Sequence, residues 1–166
     1  LDLCKKEYQN YKEGKPRAFS HFADHYDLDV ALNSKSESSV TKIKLMKLIL
    51  KQAKALACSK QIGFMVTIQP SSFDMLAKFQ KVLSKFPGYS NKNLTDLFQN
   101  ICSEMNIPYI NLFNLFNKNN PEELFFKGLN FHWNDKGQDI AAKETAKYLT
   151  RLIRTDLKKN NNRLNS

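Results

Sequence analysis

The chain has 166 residues, room for one α/β domain and too few for two ordinary ones. A hydrophobic fraction of 42% that includes 12 Phe and 6 Tyr can fill a core, which excludes collagen, a disulfide scaffold and wholesale disorder. Lys and Arg outnumber Asp and Glu by 26 to 16, a net charge of +10 that raises general affinity for anionic partners. The basic residues are nevertheless spread between apolar positions of helical patterns, the arrangement of a solvated surface. No apolar run approaches the length of a membrane span; Ile62 to Ile68 is among the longest.

The thiols and imidazoles do not form a metal site on paper. Cys4, Cys58 and Cys102 are odd in number and widely spaced, with no zinc-type spacing to His21, His25 or His132. Cys58 and Cys102 fall inside apolar helical patterns and read as buried free thiols. His21 and His25 have the four-residue spacing of a helical zinc pair, but Phe22 stands where the zinc-protease pattern needs Glu. No metal and no cofactor is expected.

Residues 1–37 read as an irregular N-terminal segment. From Ser38 or Ser39, either able to cap a helix, Val40, Ile43, Met46, Leu50, Ala53 and Ala57 recur at three- and four-residue steps and predict a helix that runs out near Ser59-Lys60. Ile62 to Ile68, closed by Pro70, reads as a strand covered on both faces. Ser71 is the expected cap of a second helix with Phe73, Leu76, Phe79 and Leu83 inward, and Asp74 in its first turn. Pro87-Gly88 breaks it. A third helix, near Asn93 to Met105, buries Leu94, Leu97, Phe98, Ile101 and Met105, and Pro108 to Phe113 reads as the next strand. A loop through Asn119-Asn120-Pro121 leads to Asn130-Phe131-His132-Trp133-Asn134 and a final helix after Asn134-Asp135, with Ile140, Ala141, Tyr148, Leu149, Leu152 and Ile153 along one side. Lys158 to Arg163 reads as a frayed basic tail, part of an Asn-rich segment 157–166.

Strands separated by helices require crossover connections, hence a parallel sheet with helices on its faces. Two strands make a thin sheet, since most have more. The expected fold is therefore a partial doubly wound α/β domain over residues 38–156, three-layer α/β/α and flavodoxin-like, with its N-terminal strands outside this chain.

In such a fold catalytic groups collect at the carboxyl ends of the strands. A histidine on the loop beyond the second strand, beside a helix N-terminus, suits a general base. The block Gly128-Leu129-Asn130-Phe131-His132-Trp133-Asn134-Asp135-Lys136-Gly137, followed by Ile140-Ala141-Ala142 and a helix through Tyr148-Leu149, resembles the last sequence block of SGNH (GDSL-type) hydrolases. It is most similar to the branch with an Asp-x-His-Trp-Asn block, which includes alginate-type polysaccharide O-acetyltransferases. The order and spacing of Ile68-Gln69-Pro70 and Ile107 to Leu112 extend the resemblance over roughly Ser39 to Arg154.

The resemblance implies a serine-dependent ester hydrolase or O-acyl, typically acetyl, transferase acting on an O-acylated small molecule or polysaccharide, and a cell-envelope or periplasmic setting. His132 matches the general base that takes the proton of the serine nucleophile. Asn130 stands where the family has the aspartate that orients the imidazole. A neutral amide can hold the ring but gives imidazolium no counter-charge. The family's earlier blocks, with the nucleophile and the oxyanion-hole groups, have no match in the chain. Ser20, Ser71 and Ser72 read as loop and cap residues, and the nucleophile is expected upstream of Leu1. The alternative, of a different class, is a catalytically degenerate SGNH-like domain that binds a glycan or a partner protein. A basic nucleic-acid module has only net charge in its favour, with no helix-turn-helix and no RNA-binding strand pattern, so no specific nucleic-acid partner is expected. Membrane attachment and oligomeric state are left open by these residues.

Overall fold

Where a helix starts is set by local capping. The structure, a computed structural model, describes residues 30–127 and 132–164. Helix α1 spans Glu37–Ser59, capped by Ser36, whose side chain accepts from the Ser39 amide at 3.2 Å. The cap is thus Ser36, two or three residues before the expected Ser38 or Ser39. Ser39 is fully buried, and its hydroxyl accepts from that of Ser36 at 2.8 Å. Val40 faces outward, while Ile43, Met46 and Leu50 point into the core as expected.

Strand β1 covers only Val66–Ile68, β2 covers Tyr109–Asn111, and the two pair in parallel with Thr67 opposite Ile110. The parallel pairing was expected; the strands are shorter than the apolar runs that contain them. Each is entered by the same helix stop. Gln61 after α1, and Asn106 after helix α4 (Asn93–Glu104), take left-handed φ values of 55° and 50°. Each lets the next amide reach back to the helix: Ile62 to the Ala57 carbonyl and Ile107 to the Cys102 carbonyl, both at 2.9 Å. These are the six-to-one bonds of a Schellman end.

The segment expected as one helix after Ser71 is two: α2 Ser72–Met75 and α3 Ala77–Leu83. The expected cap at Ser71 is present, accepting from the Phe73 amide at 3.0 Å. The break falls at Leu76, which is extended (φ −87°, ψ 132°). The Glu122 carboxylate accepts from the freed Ala77 amide at 2.9 Å, so a residue far along the chain stabilises the restart of the helix. Beyond β2 the expected loop contains helix α5 (Phe113–Lys118) and a 3-10 turn (Pro121–Glu123). The last helix, α6, spans Asp135–Leu164 and carries the basic run through as helix, in place of the frayed tail expected there.

Two apolar clusters flank the strand pair. Leu50, Ile101, Cys102 and Ile107 form one, with Val66 and Tyr109 packed on it, so α1 and α4 cover that side. Met75, Leu76, Ile110, Leu112, Phe113, Phe116, Leu124, Phe125 and Ala141 form the other, drawing on α2, α5 and α6. The molecule is a mixed α/β domain with a two-stranded parallel sheet among the described residues. Cys102 is fully buried, and burial pushes its thiol above its usual pKa. Cys58 is exposed, correcting its expected burial, because it lies past the point where α1 meets the core. Cys4, His21 and His25 lie outside the described residues.

Candidate functional site

The block that carries the resemblance is held in place by three of its own residues. Trp133 makes an antiparallel bridge with Phe125, closing a hairpin in which the Phe126 amide donates to the His132 carbonyl at 3.0 Å. The Trp133 ring packs on Phe116, centroids 4.6 Å apart, joining the same core cluster as Leu112, the residue that follows β2. Its indole nitrogen is buried with no hydrogen-bond partner among the described residues.

Asn134 secures the hairpin to the start of α6. Its backbone amide donates to the Leu124 carbonyl at 3.0 Å, and its side-chain amide donates to the carbonyls of Glu123 at 2.8 Å and Phe125 at 3.2 Å. Its side-chain oxygen accepts from the Gly137 amide at 3.1 Å. Asn134 is therefore the cap of α6. Asp135 sits in the first turn, where its charge favours the positive helix end. Gly137 lies against the Leu124 carbonyl so closely that a Cβ there would stand 2.5 Å from its oxygen.

His132 is exposed, at the end of this clamped hairpin and three residues before α6. Asn130 lies outside the described residues, as do Gly128, Leu129 and Phe131. An open groove of about 820 Å³ runs beside the hairpin, floored by Leu76, Phe125 and Phe126 and edged by Lys78, Glu122 and Lys127. Asn134 also lines it, and Lys136 pairs with Glu123 across its rim, which lowers the Glu123 pKa. His132 meets the groove through its backbone bond to Phe126 and is not one of its lining residues. Among the described residues no group of three or more His, Cys, Asp or Glu could hold a metal.

Of the serines considered, Ser71 is occupied in capping α2, Ser72 is buried beside it, and Ser20 lies outside the described residues. The same turn holds a feature that sequence reading missed. Asp74, expected to sit in a helix first turn, is buried at 4% exposure, where it accepts from the Tyr89 hydroxyl at 3.3 Å. Gln80 donates to that hydroxyl at 3.0 Å and to the Phe73 carbonyl at 2.7 Å. Burial raises the Asp74 pKa from 3.8 to about 6, with the bonds from Tyr89 and the Ser71 backbone opposing the shift. Burial, together with the neighbouring carboxylate, also raises the Tyr89 pKa. An Asp after a serine cap gives no sign of this in sequence, because the tyrosine that covers it is fifteen residues away.

The raised pKa has a consequence for stability. The folded state holds the Asp74 proton more tightly than the unfolded chain, so this group makes stability fall as pH rises from about 4 to about 6 and remain lower above that. Asp74→Asn keeps an acceptor for Tyr89 and removes the buried charge. It is expected to stabilise the protein by about 2–3 kcal/mol at about pH 8 and by little at about pH 4. Urea unfolding at both pH values checks this. Equal effects at the two values would show that the carboxyl is not the titrating group.

Searches against protein-family models, curated proteins and solved structures returned no match.

Proposed function

We propose that the chain is part of an SGNH-type domain that hydrolyses or transfers an O-acyl group, on a small molecule or a polysaccharide, with His132 as general base. The finer architecture of the proposal is a doubly wound three-layer α/β/α sheet whose remaining strands and nucleophile block lie outside Leu1–Ser166. The observation that supports it most is a division of labour within one short block. Trp133, Asn134 and Gly137 hold the hairpin and the helix start by packing, capping and close approach, while His132 is exposed beside a groove with an apolar floor. A base must be positioned by its surroundings and still reach a substrate. The amide Asn130 in place of the family's aspartate predicts a slow enzyme, since an amide supplies no counter-charge at that position as the imidazolium forms.

The test is covalent. In the protein that carries the family's earlier blocks, a fluorophosphonate probe is expected to label one serine and to abolish turnover of a small acetyl ester in parallel. Absence of both labelling and turnover, with the protein folded and a soluble O-acetylated glycan still bound, overturns the enzyme reading in favour of a binding domain.

A further inference from the structure

Helix α1 has two apolar faces and the core uses one. Ile43, Met46 and Leu50 face the sheet. Leu45, Leu48, Ile49 and Leu56 recur at the three-, four- and eleven-residue steps of a second stripe, with Gln52 in line between them. All four apolar residues are exposed, at 57, 57, 49 and 63%. Ile62, just beyond the helix stop, adds another large exposed side chain at 63%. Scattered exposed leucines need no explanation, but a continuous stripe along one helix marks a surface that meets something apolar.

The charge around the stripe identifies the chemistry of that partner. From Glu37 to Asp74 no acidic residue intervenes, and six lysines do: Lys42, Lys44, Lys47, Lys51, Lys54 and Lys60. Lys47 and Lys54 are drawn toward α4, where they meet Glu104 and the carbonyls of Met105 and Asn106. Lys44, Lys51 and Lys60 are exposed on α1 and at its end. Two copies of this face would set lysine against lysine, and a stripe of four side chains covers much less than the roughly 800 Å² per partner of a standard protein interface. An anionic bilayer has no such difficulty. Its headgroups neutralise lysines whose methylene stems lie along the apolar surface, and the leucines enter the acyl boundary.

We propose that α1 is a peripheral membrane-binding face that lays its Leu45–Leu56 stripe on an anionic lipid surface. No helix among the described residues is long and apolar enough to cross a membrane, so the association is with the surface. The inference stands apart from the esterase reading, because α1 contributes neither His132 nor any residue of the groove.

The experiment is vesicle co-flotation with the whole chain. Partition onto phosphatidylcholine vesicles containing phosphatidylglycerol is expected to exceed that onto phosphatidylcholine alone by at least about tenfold. The excess should vanish when salt shortens the Debye length to about 3 Å. A double variant, Leu48→Ser with Ile49→Ser, should lose at least about tenfold in partition while its circular dichroism matches the parent. Because both side chains are exposed, its fold is retained. Equal partition onto the two vesicle types overturns the proposal, as does undiminished partition of the double variant. So does a concentration-dependent dimer in sedimentation that the double variant abolishes, since the stripe would then be a contact between copies.

Discussion

Gly137→Ala is expected to destabilise the protein by about 3 kcal/mol, a sign opposite to what helix propensity dictates. Gly137 is the third residue of α6, where alanine is ordinarily better than glycine by about 1 kcal/mol. The close approach reverses this. The added carbon would stand 2.5 Å from the Leu124 carbonyl oxygen and 3.2 Å from the Trp133 Cβ. Neither neighbour can retreat cheaply. The Leu124 carbonyl accepts from the Asn134 amide, Leu124 itself is fully buried, and Trp133 is held by its bridge to Phe125 and its packing on Phe116. Relief therefore means opening the Asn134 clamp, with the loss of the bonds that tie the hairpin to α6. Urea unfolding of parent and variant measures the difference. A variant as stable as the parent, or more so, would show that the hairpin and the helix start separate freely, and the clamp would lose its role in positioning His132.

How much of this was legible in the sequence follows from where the determining contacts lie. The parallel pair and the helices around it could be read because periodicity is local: α1, α4 and the two apolar runs each carry their own pattern. The helix stop at Asn106 had a sequence sign, since asparagine tolerates left-handed backbone; Gln61, in the same role, had none. The break at Leu76 could not be read, because the carboxylate that caps the restarted helix comes from Glu122, forty-five residues on. The strands were overestimated for a related reason. Ile62 to Met65 is largely apolar but has no partner strand beside it among the described residues, and the hydrogen-bonded ladder of a strand needs a neighbour to pair with. At the candidate site, sequence picked out His132 by position and resemblance. The separate duties of Trp133, Asn134 and Gly137 emerge only when Phe116 and the carbonyls of residues 123–125 are brought against them. The second apolar stripe of α1 has no place in the sequence reading, which follows the core-facing residues alone, because exposure is a tertiary property.

His132→Ala is expected to lower acetyl-ester turnover by about 10²–10⁴-fold, the usual contribution of a positioned general base, in the protein that carries the nucleophile block. Its melting temperature should stay close to the parent's. The hairpin bond at this position is made by the His132 backbone carbonyl, which alanine keeps, and the side chain is exposed. Trp133→Ala supplies the contrast. It empties a ring-sized space against Phe116 and should cost about 2 kcal/mol, below the about 3–5 kcal/mol of a fully buried large aromatic, because the Trp133 ring is only partly buried. Asn130→Asp separates a catalytic histidine from a merely accessible one. An aspartate at the family's orienting position would steady the imidazolium formed when the serine attacks, and turnover should rise by at least about tenfold. The gain should disappear when His132→Ala is added, since the carboxylate acts only through the ring, and that non-additivity is the signature of a shared mechanism. If Asn130→Asp raises turnover equally with and without His132, the charge acts on something other than the imidazole. If His132→Ala leaves an active parent's turnover unchanged, the base lies elsewhere and the clamped hairpin is better read as part of a binding surface.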